Sequence, residues 1–221
     1  MIAAPVLRGG TVVRTLSLLC GLAVFALGIV LILESGLGLS PWDVLNQGVS
    51  RHTPLSFGAA NVAVAVCVLA VAWALGARVG PGTVANAVLV GAFVDGLIAV
   101  GAVDGVSDSG LAARVLALAG GILVIGMGSG LYIGAAMGAG PRDSLMLVLA
   151  RRSGTRMGIV RGALELAATV AGFALGGTVG VGTIAFALGV GPAVELAFKA
   201  LEVLSLTTRR RGEPVPAWPA E

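Results

Sequence analysis

Asp95 and Glu195 each stand inside an apolar stretch, one hundred positions apart. An acidic side chain within a membrane span costs ~2.5–3.5 kcal/mol on insertion scales and faces the bundle interior. The pair suits a proton or cation relay or a contact to a polar substrate. It also suits a helix-to-helix hydrogen bond, and Glu195 has Lys199 one turn on as a local partner. A second acidic pair, Asp43 and Asp143, sits in matching Pro-x-Asp segments, Pro41-Trp42-Asp43 and Pro141-Arg142-Asp143. Asn46 lies one turn beyond Asp43, and Asn86 lies inside a later apolar stretch. These six residues, Asp43, Asn46, Asn86, Asp95, Asp143 and Glu195, are the candidates for a substrate or ion pathway. Arg142 and Arg161 are candidates for an anion contact, although Arg161 has Glu165 one turn on as a neutralising partner.

Other chemistry finds little support. His52 is the sole histidine and has no metal-ligand partner at helical spacing, and Ser129 has no histidine on another span to activate it. Asp43 and Asp143 lie in short segments on opposite sides of the membrane, which is unsuited to a shared-proton pair. No enzyme activity, cofactor or metal is expected. Cys20 and Cys67 both lie in apolar spans, where a thiol behaves as a small hydrophobe. The positive residues form no basic face with interleaved aromatics, so nucleic acid is not an expected partner.

The elements that must position these residues are membrane spans. Of 221 residues 57% are hydrophobic and 11% charged, against roughly 25% charged in a soluble domain. Apolar runs near 20 residues, enough to cross a ~30 Å core, predict six spans at about 15–34, 58–76, 82–102, 113–136, 158–176 and 183–204. The basic residues ahead of the first span resemble a secretory signal, but no cleavage is expected, because that span has an internal copy later in the chain. Between spans one and two, Ser40 and Pro41 signal the start of a short helix running to about residue 50, with Asp43 in its first turn. A second short helix runs from Pro141 to about residue 150. Two arrangements fit these ten-residue segments: half-helices re-entering the membrane from opposite sides, or amphipathic helices lying in each interface with Trp42 as an anchor.

The chain repeats itself. At an offset of 100 with no gaps, about 23 of the 80 positions from 21 to 100 are identical. Val79-Gly80-Pro81-Gly82-Thr83 aligns with Val179-Gly180-Val181-Gly182-Thr183, and Gly58 with Gly158. Three spans per copy is an odd number, so the second copy enters the membrane upside down, as in the inverted repeats of many transporters. The expected organisation is a cytoplasmic N-terminus (1–14), a first three-helix repeat (15–104), a second (113–204) and a disordered cytoplasmic tail (205–221). The fold class is therefore an all-α polytopic membrane protein, six transmembrane helices in two inverted repeats, each with a short re-entrant or interfacial helix. Gly126, Gly130, Gly134 and Gly138, at intervals of four, form a ridge for close helix packing within the subunit or at a homo-oligomer seam.

The stretch Gly38-Leu39-Ser40-Pro41-Trp42-Asp43-Val44-Leu45, the turn Gly80-Pro81-Gly82-Thr83-Val84-Ala85-Asn86 and Asp95 together resemble the YczE/YyaS/YitT family of bacterial integral membrane proteins, in particular its YczE-like branch. The likeness spans about Arg14 to Leu204. It implies a multi-pass protein of the bacterial cytoplasmic membrane and supplies no catalytic residues. The second copy departs from the first at Arg142 for Trp42, Val181 for Pro81 and Phe186 for Asn86. The expected function is a permease or channel-like transporter of a small solute or ion, with the bilayer as its surroundings. The alternative is a non-transporting scaffold or regulatory partner in a membrane complex, or the substrate-binding subunit of a multi-component importer. Lys and Arg favour the loops that would place both termini in the cytoplasm. Reporter fusions at Arg51 and Gly105 should therefore read outside and those at Arg78 and Arg152 inside; placement of Arg51 and Arg152 on one side would remove the inverted repeat.

Overall fold

The computed structural model describes residues 6–204 and 206–208. Every long apolar run becomes a helix. The first helix, α1 (Thr11–Ser35), stops at Gly36, whose φ of 61° lets its N–H turn back to the Leu33 carbonyl. There follow α2 (Pro41–His52), α3 (Phe57–Ala74) and α4 (Pro81–Ala99), then α5 (Leu111–Gly134), α6 (Pro141–Ser153), α7 (Met157–Ala174) and α8 (Val181–Val203). Six of these, α1, α3, α4, α5, α7 and α8, are long and apolar enough to cross a membrane. Their ends fall within about one helical turn of those expected. Near the termini, β1 (Val6–Leu7) pairs antiparallel with β2 (Thr207–Thr208), where the tail was expected to be disordered. From Arg209 onward that expectation lies outside the described residues.

The centre of the bundle is the antiparallel crossing of α1 and α5. A Cβ on Gly21 would stand 2.9 Å from the Gly128 carbonyl oxygen, and one on Gly28 would stand 2.8 Å from that of Gly121. Only glycine allows the two backbones so close. Leu22, Ile29, Ile32 and Ile125 fill the seam on either side and are almost fully buried. Against this pair, α4 packs on α1, and α8 packs on α5 through Gly126 against Ala193 and Gly130 against Ala197. Half of the predicted glycine ridge is thus an internal contact. Gly134 is the buried last residue of α5, and Gly138 lies beyond the helix, in a loop, with a φ of 137°.

The same contacts recur at an offset of one hundred. The loop before α2 is hydrogen-bonded to the start of α8, Gly182 N–H donating to the Leu37 carbonyl at 2.8 Å. The loop before α6 meets the start of α4 likewise, Gly82 N–H donating to Met137 at 2.9 Å. Four arginines cover helix ends of the opposite repeat. Arg14 donates to the Ala135 and Ala136 carbonyls past α5, and Arg114 to Ser35 and Gly36 at the end of α1. Arg51 donates to the Gly176 carbonyl past α7, and Arg151 to that of Gly76 past α3. A guanidinium there satisfies carbonyls that have no intrahelical donor and opposes the negative end of the helix dipole.

Asp95 has a structural assignment in this fold. Its carboxylate accepts from Gly58 N–H at 2.8 Å and from the Ser56 hydroxyl, so it caps the start of α3 from the neighbouring α4. Ser56 in turn accepts from Ala59 N–H at 3.0 Å. Glu195, its counterpart, is exposed on α8 and pairs with Lys199 at 3.0 Å. The two acids therefore predict opposite mutational costs. Asp95→Ala should lower stability by about 1–2 kcal/mol, the loss of a helix cap, and Glu195→Gln should stay within about 0.5 kcal/mol. Thermal unfolding of the detergent-solubilised protein measures both; equal effects would remove the cap assignment.

Candidate functional site

The two short helices are placed by their C-terminal ends. Along α7, Gly172 meets the backbone at Val44 and Leu45, Gly48 meets Leu175, and Arg51 reaches Gly176, so α2 and α7 advance in the same direction. The C-terminus of α2 therefore lies at the C-terminal end of α7. At 1.5 Å per residue its start lies about 15 Å further into the bundle. The other short helix does the same along α3: Leu145 and Val148 pack with Ala72, and Arg151 reaches Gly76. Every residue from Pro41 to Ser50 is buried or half-buried. An amphipathic helix lying on the surface would expose one face, so α2 is embedded in the protein.

The inner ends of α2 and α6 meet. The Arg142 guanidinium carbon lies 5.1 Å from the centroid of the Trp42 ring, a cation–π contact between matching positions of the two repeats. The α2 start is closed by side chains. Ser40, in extended conformation, accepts from Asp43 N–H at 3.3 Å, and its hydroxyl donates to Asp43 Oδ2 at 2.5 Å. Asn46 Nδ2 donates to Asp43 Oδ1 at 3.1 Å. Both Asp43 oxygens are thereby held. Asn46 is fully buried, and its Oδ1 has no hydrogen-bond partner among the described residues.

The α6 start is built differently. Gly140 replaces the capping serine, and no side chain caps the first turn. Asp143 is instead approached by the Tyr132 hydroxyl at 3.4 Å, from a ring that packs edge-on against Phe25 with centroids 6.1 Å apart. Asn86 comes close from α4: a Cβ on Gly140 would lie 3.5 Å from its Oδ1 and 3.6 Å from Asp143 Oδ2. Burial weighs most on both Asp143 and Arg142, disfavouring their charged forms; Arg161 and Arg142 oppose it at Asp143, and Asp43 and Asp143 oppose it at Arg142. Arg161 also pairs with Glu165 at 2.9 Å. Charges of both signs, aromatic faces and amide groups therefore converge where two helix starts face each other.

Of the residues singled out from sequence, Asp43, Asn46, Asn86, Arg142, Asp143 and Arg161 come together here. Asp95 and Glu195 do not, the first capping α3 and the second lying on the outside of α8. Tyr132 was not anticipated. Its signal was available, since the only tyrosine of the chain lies in an apolar span, and a phenolic hydroxyl there must find a partner.

Comparison with known proteins gives a family and no activity. The chain is 36% identical over 183 residues to an uncharacterized protein of Haemophilus influenzae, covering 82% of each chain. It is 31% identical over 204 residues to the uncharacterized membrane protein YczE of Bacillus subtilis, covering 90% of this chain and 92% of the other. It is 26% identical over 200 residues to the uncharacterized protein YyaS of the same organism, covering 87% and 96%. No solved structure matches. The model of a family of unknown function, DUF6198, matches residues 12–199. With six apolar helices of spanning length and a membrane protein among its relatives, the chain is a multi-pass membrane protein that belongs to this YczE-like family.

Proposed function

We propose that the protein is a permease or channel-like transporter of a small polar or charged solute, in the bacterial cytoplasmic membrane with both termini cytoplasmic. It works as two inverted repeats, α1–α4 and α5–α8, with α2 and α6 as re-entrant half-helices. The observation that carries this is the contact of Trp42 with Arg142. Two short helices that share a repeat position meet at their starts inside the bundle, close to Asp43, Asp143 and Tyr132. Charged groups are expensive at that depth and mark solute or ion pathways. Helix starts turned into a bundle offer backbone N–H groups to a solute, and transporters with broken helices use them so. The buried Asn46 Oδ1, without a partner among the described residues, supplies an acceptor in the same place. Reciprocal contacts at an offset of one hundred support the inverted repeat.

Trp42 and Arg142 join the starts of the two short helices, and Asp143 and Tyr132 set the charge and hydrogen bonding beside them. Asp95, holding the start of α3, is the wrong residue on which to test transport. The full chain, purified and reconstituted into vesicles, should pass a small solute or ion under a gradient. Arg142→Gln and Asp143→Asn should each lower that flux by at least about tenfold, roughly 1.4 kcal/mol of barrier, with unfolding temperature little changed. A protein that moves no solute or ion under any gradient, and co-purifies with one stable membrane partner, would be the scaffold or importer subunit instead.

A further inference from the structure

The two repeats match in sequence but differ at one seam. In the first, α3 lies along α4. A Cβ on Gly91 would stand 2.3 Å from the Gly58 carbonyl oxygen and 2.6 Å from a Val62 methyl, so the backbones are in close contact. Asp95 completes the seam by capping α3 through Gly58 and Ser56. The second repeat carries the corresponding parts: Gly158, Gly162 for Val62, Gly191, and Glu195 for Asp95. There α7 and α8 stand apart. A Cβ on Gly158, Gly162 or Gly191 would meet nothing within 4 Å among the described residues. The start of α7 has no side-chain cap, and Arg156 occupies the place of the capping Ser56. Glu195 meanwhile turns to Lys199 on its own helix, with 51% of its side chain exposed.

We propose that this is one of two conformations, and that α7 and α8 close on each other as α3 and α4 do. On closure Glu195 leaves Lys199 and caps the start of α7. Its additional methylene reaches the Gly158 N–H, and its carboxylate meets Arg156 where Asp95 meets the Ser56 hydroxyl. The glycines at 158 and 191 let the backbones approach, and Gly162 leaves still more room than Val62. The inference rests on the inverted-repeat reading of the chain and on no assumption about the solute.

The test is a disulfide trap that needs no transport assay. Gly162→Cys and Gly191→Cys are introduced together into the full chain carrying Cys20→Ser and Cys67→Ser. Both cysteines fit the open structure, since a Cβ at Gly162 or Gly191 meets no described residue within 4 Å. On mild oxidation in vesicles an intramolecular disulfide should form, whereas Gly162→Cys with Leu196→Cys should stay unlinked. Leu196 is exposed and lies about 140° around α8 from Gly191 at 100° per residue, away from the proposed seam. Glu195→Gln should slow trapping by about fivefold, the effect of weakening one helix cap. Absence of the bond, or a bond only between two chains, would overturn closure. An unchanged rate in Glu195→Gln would overturn the assigned latch.

Discussion

The crossing of α1 and α5 is the contact on which everything else depends. Lipid tails are as apolar as the helix surfaces, so burial of leucine and isoleucine gives little drive for one helix to seek another. Close backbone approach supplies the drive instead. Gly21 with Gly128 and Gly28 with Gly121 remove the side chains that would hold the helices apart. Dispersion over the whole seam then accumulates from many small contacts. Because the two contacts exchange places at an offset of one hundred residues, this one crossing sets both the antiparallel direction of the pair and the relation between the repeats. The rest is hung upon it: α4 on α1, α8 on α5, and each short helix along a span of the opposite repeat.

Polar groups close the ends and populate the middle. At the ends, Arg14, Arg51, Arg114 and Arg151 each lend a guanidinium to carbonyls of the other repeat, which locks the halves together without burying uncompensated charge. In the middle, two solutions to one problem coexist. The first short helix is satisfied by its own Ser40, Asp43 and Asn46. The second lacks a side-chain cap and draws Tyr132 from α5 toward Asp143. The two short helices thus differ where they start: one is self-contained, and the other depends on its surroundings.

Much of this was legible in the chain. Hydropathy gives the six spans because an apolar run of about 20 residues has few other fates. Ser40-Pro41 and the second Pro-x-Asp give the short helices because proline at the first helical position loses no hydrogen bond. Position along the chain misled where partners decide the role. Asp95 reads as an intramembrane charge awaiting a function, and it is the cap of another helix. Arg14 and Arg51 read as loop charges, and they cover helix ends some 120 residues away. Gly138 continues a four-residue period on paper, yet α5 has already stopped at Gly134. In each case the missing information is a neighbour distant in sequence.

The sequence by itself determined the class of object: spans, short helices and a duplication, all set by local hydrophobicity, capping chemistry and internal similarity. Tertiary structure alone decided which polar residues share a site and which half of the repeat is closed. Both depend on how far apart helices stand. The same glycines that permit contact at Gly58 and Gly91 face open space at Gly158 and Gly191. Glycine makes close approach possible without compelling it, so the choice between the two states belongs to the packing of the whole bundle.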